Sequence, residues 1–168
     1  MYIFTPVNPR SPFAVANFFL KKSLEDGIPL TPMKLIKLVY IAHGWHLALT
    51  GAPLIAESIQ AWKYGPVIES LYHSYKIYGN RPLGEDAIAE FSTLDPDDDA
   101  IPLLERVWKL YCKFTAAQLS AMTHADGTPW SNSYVEGILG KEIPEGIIRD
   151  HYAEKLHANR AKRETSAA

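Results

Sequence analysis

Thr31-Pro-Met-Lys-Leu-Ile-Lys-Leu-Val-Tyr40-Ile-Ala-His-Gly-Trp-His-Leu-Ala-Leu-Thr50-Gly51 is the stretch on which the fold class turns. It opens with a hydroxyl residue suited to accept a backbone N–H and a proline whose fixed φ fits the first helical position, and it closes on a glycine. Between these signals Leu35, Ile36, Val39, Tyr40 and Ala42 recur at helical spacing. No other part of the chain is so rich in Leu, Ile, Val and aromatic residues, which marks this helix as the core element on which the others pack.

Upstream, Ser11-Pro12 repeats the start signal, Phe13, Ala16, Asn17 and Leu20 trace one face, and Gly27 closes the helix. Downstream the period changes. Leu54-Ile55 is a short apolar run, and Ser58-Ile-Gln-Ala-Trp62 alternates polar with apolar residues, so a small β-hairpin is expected near residues 53–62. Gly65-Pro66 reads as its end and as the start of a third helix carrying Ile68, Leu71, Tyr72 and Tyr75. The acidic stretch through Asp95-Pro-Asp-Asp-Asp99 reads as a solvated connection with one short helix at 85–91. Pro102 opens a fourth helix, Thr115-Ala-Ala-Gln118 has the form of a capping box for a fifth, and further helices start at Pro129 and Pro144, the last ending near Leu156. The expected fold is mainly α: one compact domain of about six to seven helices with that single hairpin. Residues 158–168 are polar and read as a disordered tail, and residues 1–10 as an extension before the domain.

Composition narrows the function classes. A chain of 168 residues, 47% hydrophobic and 21% charged, suits one globular domain. Its formal net charge of −2 gives no general attraction to nucleic acid. Lys34 and Lys37 interrupt the strongest apolar run, so no membrane span is expected, and the first ten residues lack the order of a signal peptide. With Cys112 as the single cysteine, an internal disulfide is impossible and a reducing, cytoplasmic location is the expectation.

Catalytic chemistry finds little support. His43 and His46 lie three apart on one helical turn, but no His-Glu-x-x-His accompanies them, and His73, His124 or Glu57 cannot be brought in as further ligands by sequence. Cys112 sits in an apolar helix, no serine has the glycine elbow of a nucleophile, and the ten glycines are dispersed rather than gathered into a phosphate loop. No catalytic residue, metal ligand or cofactor is assigned. Lys155, Arg160, Lys162 and Arg163 form the one basic cluster, which reads as a solvated face. The more informative stretches are Trp62-Lys63-Tyr64-Gly65-Pro66 and Thr123-His124 with Pro129-Trp130. Each sets large amphipathic aromatics beside rigid turn residues, which can either pin a loop to the core or face a partner.

Two blocks together resemble a known family. Met33 to Trp45, Gly51 to Leu54, Glu57, Ile59 to Val67 and Leu71-Tyr72 are similar to the first signature of the Panacea domain, the antitoxin SocA-like or phage-associated GepA family. Leu119-Ser120, Thr123-His124 and Pro129-Trp130 are similar to its second, here with one residue more between His and Pro. The resemblance spans most of residues 10–157 and places a Panacea-like helical domain at 11–157. It implies an antitoxin of a bacterial or prophage toxin–antitoxin pair that neutralises a protein toxin by direct contact, with delivery of the toxin to a ClpXP-type protease as a further mode. The partner surface is then expected at Trp62, Lys63, Tyr64, Gly65, Pro66, Thr123, His124 and Trp130. The terminal Ser166-Ala-Ala168 further resembles a tag read by such a protease. The rival reading is an enzyme of unknown reaction built on His43, His46 and His124. The toxin's identity and the oligomeric state are not written in the sequence.

Overall fold

The computed structural model of the protein describes residues 8–167. Within them lie seven α-helices and one small antiparallel sheet, so the mainly helical fold expected from the sequence is the one observed. The helices are α1 (Pro12–Asp26), α2 (Pro32–Thr50), α3 (Glu69–Tyr75), α4 (Ile101–Tyr111), α5 (Ala116–His124), α6 (Pro129–Ser133) and α7 (Glu145–Ser166). The strands are β1 (Ile59–Trp62), β2 (Gly65–Val67) and β3 (Lys141–Ile143).

The central helix α2 forms for the reasons its sequence gives. Thr31 caps it through its side chain, Pro32 occupies the first turn, and the N–H of Gly51 closes on the Leu47 carbonyl at 2.9 Å. Every residue from Lys34 to Gly44 is buried, because α1, α4, α5, α7, α3 and β2 all pack around it. Burial catches two lysines as well. Lys34 resolves this by reaching the Cys112 carbonyl at 2.6 Å, where its amine caps the C-terminal end of α4. Packing of α7 on α2 depends on Gly44: a Cβ there would lie 2.2 Å from the Tyr152 ring, which instead nests between Tyr40 and Trp45.

Differences from the sequence reading have physical causes. The hairpin is displaced: β1 contains the expected residues from Ile59, but its partner is Gly65–Val67, joined through the turn at Lys63-Tyr64. Pro66 does not break the sheet because β2 is an edge strand, where a missing N–H costs no ladder bond. Leu54-Ile55 instead meets the chain near Arg10, whose N–H bonds the Leu54 carbonyl at 2.8 Å. A third strand, β3, pairs with β1 on its other side, Ile59 opposite Ile143. The expected helix near residue 85 is a single 3-10 turn, Glu85–Ala87.

The last helix does not stop near Leu156 but runs to Ser166. Its final residues are exposed and polar, yet Ala, Arg, Lys and Glu are good helix formers and propagate a helix already anchored by Ile148 and Tyr152. Of the expected N-terminal extension, residues 1–7 lie outside the described residues, as does Ala168 of the terminal tag. Arg10 is bound into the fold. Its guanidinium bonds Asp98 at 2.8 and 3.1 Å and Asp99 at 2.5 Å, so part of the acidic stretch is a packed contact rather than a solvated run.

Candidate functional site

The two aromatic-rich stretches singled out in the sequence meet in space. Trp130, at the start of α6, donates its indole N–H to the Trp62 carbonyl at 2.6 Å, and Ser120 of α5 donates its hydroxyl to the Tyr64 carbonyl at 2.9 Å. These two bonds fasten the tip of the β1–β2 hairpin to the α5–α6 corner. From below, the Lys37 amine donates to the Pro66 carbonyl at 2.8 Å. Gly65, between the two, has φ of 112°, a backbone conformation that calls for glycine, and a Cβ there would lie 2.8 Å from Lys37 Nζ, so the lysine amine would have to shift.

The corner holds its own geometry. Thr123 donates to the Leu119 carbonyl at 2.9 Å, His124 Nδ1 contacts Ser120 through its hydroxyl at 3.3 Å and through its carbonyl, and the Thr128 hydroxyl caps α6. Trp130 stacks on Tyr134 with ring centroids 4.7 Å apart and meets His124 edge-on at 5.3 Å. On the other side of the hairpin, Trp62 donates to Gln60 Oε1 at 2.8 Å and lies edge-on to Tyr72 at 4.7 Å.

Among the eight expected site residues, Gly65, Pro66 and Thr123 are therefore buried, and their part is to shape the corner. Trp62, His124 and Trp130 are half-buried, each ring held by a hydrogen bond or a neighbouring ring. Lys63 and Tyr64 are exposed at the hairpin tip, the lysine amine 5.6 Å from the tyrosine ring centroid and the tyrosine 63% exposed.

Beside this tip the structure opens a groove of about 790 Å³ that the sequence reading did not find. Its lining includes Trp62, Tyr64, Tyr72, Tyr134, Ile138 and Leu139. Leu139 is 97% exposed. Ile138 and Leu139 sit between Gly137 and Gly140 and carry no periodic signal, so they read as loop until β3 pins the segment beside β1. Lys37 did carry a signal, a charge inside a continuous buried run. It lies at the inner wall, 2% exposed, and burial pushes its amine down to about 7.

The histidines proposed for the enzymatic rival are placed differently. His43 is fully buried in α2 with neither ring nitrogen hydrogen-bonded, and His46 is held by the Ala52 carbonyl at 2.7 Å beside Arg10. His73 is exposed next to Glu69, and Glu57 is occupied by Ser70. Among the described residues no three His, Cys, Asp or Glu side chains form a group able to hold a metal ion. No helix among them is long and apolar enough to cross a membrane.

Residues 35–131, which include most of α2, the hairpin, α5 and the start of α6, match the family described as antitoxin SocA-like, Panacea domain. The chain is also 33% identical over 151 residues to the antitoxin SocA of Caulobacter vibrioides strain NA1000 / CB15N, an alignment spanning 83% of this chain and 80% of that one. No solved structure matches it. On the breadth of both matches, the chain belongs to the antitoxin SocA-like, Panacea domain family.

Proposed function

We propose that the protein is an antitoxin that neutralises a protein toxin by direct contact through the hairpin tip and the α5–α6 corner. One observation carries the location: sequence-distant aromatic stretches converge there, with Lys63 and Tyr64 exposed on a tip fastened by bonds to Ser120, Trp130 and Lys37. A surface already ordered before binding loses little conformational entropy when covered, and its Trp and Tyr rings offer large contact area with few rotors. Lys63 at the rim guides encounter and orientation more than it adds affinity. Such a mode asks for no catalytic residue or cofactor. Delivery of the bound toxin to a ClpXP-type protease would use a surface this contact leaves free, and the basic end of α7 with Arg160 and Arg163 lies on a separate groove with Trp45 and Leu110.

Co-expression with the cognate toxin tests the proposal. The wild-type chain should restore growth. Lys63→Glu and Tyr64→Ala, each with an unchanged melting temperature, should not. Full rescue by both variants would put the interface on another face. His124→Ala is a companion, and because that ring also braces Trp130 its stability must be measured beside its rescue.

A further inference from the structure

The groove beside the hairpin tip combines two features that seldom occur together. It is largely apolar, lined by aromatic rings and by the exposed side chains of Ile138 and Leu139, yet a buried lysine forms part of its inner wall. The Lys37 ammonium has three N–H donors, and among the described residues it meets one acceptor, the Pro66 carbonyl, and takes part in no ion pair. Burying an amine without a counter-charge is costly, and its lowered proton affinity reports that cost. Two further lysines, Lys63 and Lys76, line the same groove, against Glu136 as its single carboxylate. The groove is therefore largely apolar, and Lys63 and Lys76 outnumber Glu136, with Lys37 adding positive charge whenever its amine is protonated.

We infer that this groove receives a short hydrophobic segment of the partner protein whose acidic side chain is placed against Lys37. The inference rests on the binding reading above and specifies the chemistry of what is bound. A carboxylate there supplies the counter-charge that the fold omits, while flanking apolar side chains cover the rings of Trp62, Tyr72 and Tyr134 and the open Leu139. A volume of about 790 Å³ is within the range that encloses a ligand of a few residues' size.

The test uses the whole protein and three blocked tripeptides, acetyl-Leu-Glu-Leu-amide and its Gln and Lys counterparts, followed by NMR shifts of the Trp62 and Trp130 indole N–H groups. The Glu peptide should shift Trp62 and bind about tenfold or more tighter than the Gln peptide, with the Lys peptide weakest. In Lys37→Met, confirmed folded by its melting curve, that preference should fall below about twofold. Equal binding of the three peptides, or no groove shifts, overturns the inference, as does a Glu preference that survives Lys37→Met, which would move the charge recognition to Lys63 or Lys76. Groove signals that broaden with protein concentration alone, with dimers in sedimentation, also overturn it, since a second copy would then be the occupant. Peptide binding needs no toxin: selective binding without neutralisation sinks the antitoxin reading alone, and neutralisation without selectivity sinks this inference alone.

Discussion

Both ring nitrogens of His43 lie buried without a hydrogen-bond partner, and burial together with the nearby His46 pushes its affinity for a proton down to about 4. Well above pH 6.5 the ring is neutral in both folded and unfolded chains and the shift has no effect on stability. As pH falls from 6.5 to about 4, the unfolded chain takes up a proton that the folded chain refuses, so stability drops, by about 3 kcal/mol in all, and levels off below. Asp98, whose carboxyl is held below its ordinary value through its bonds to Arg10 and the Ala100 N–H despite burial, loses its contribution only at still lower pH. Urea melts between pH 7 and 4.5 should show the decline in the wild type and a flatter profile in His43→Leu; parallel profiles would mean that His43 is hydrated in solution. Leu35, fully buried in the same helix, gives a simpler expectation: Leu35→Ala should cost about 2–5 kcal/mol in denaturant melts, and a loss under about 1 kcal/mol would contradict its place in the core.

Among the elements, the α2–α7 contact is the most exacting, because the Tyr152 ring occupies the place of a Gly44 side chain. Gly44→Ala should destabilise the fold by about 1–3 kcal/mol although alanine is the better helix former. Combined with Tyr152→Ala, the added loss should be much smaller than the sum, since the clash is gone; additive losses would show that the two helices do not meet there. The same pairs of elements show what could be read in advance. Helices announced themselves by local chemistry: Ser11-Pro12 and Thr31-Pro32 start α1 and α2, and Thr115 and Gln118 form the capping box in both directions at 3.1 and 2.8 Å. Strands β2 and β3 did not. Gly65-Pro66 has the local chemistry of a turn, Lys141-Glu-Ile143 is too short and polar to show alternation, and both are strands only because β1 lies between them.

Over the whole molecule, the proposed partner surface was expected from aromatic rings beside rigid turns, a local pattern, and the structure joins those two stretches into one corner. The groove next to it was not legible, because it is made by packing α2, α3, the hairpin and the 134–140 loop around a shared space. Lys37 shows the limit in one residue: sequence places it on the core helix, and only the fold shows that its amine reaches the hairpin beside an open groove. The proposed function is thus that of a preformed corner acting by contact rather than by chemistry. Titration of the purified toxin with the purified chain in a calorimeter tests this most directly. The expected result is a stoichiometric complex whose affinity falls about tenfold or more in Tyr64→Ala at unchanged melting temperature; neutralisation in cells without any complex, or with a substoichiometric amount of chain inactivating the toxin in the absence of protease, would contradict it.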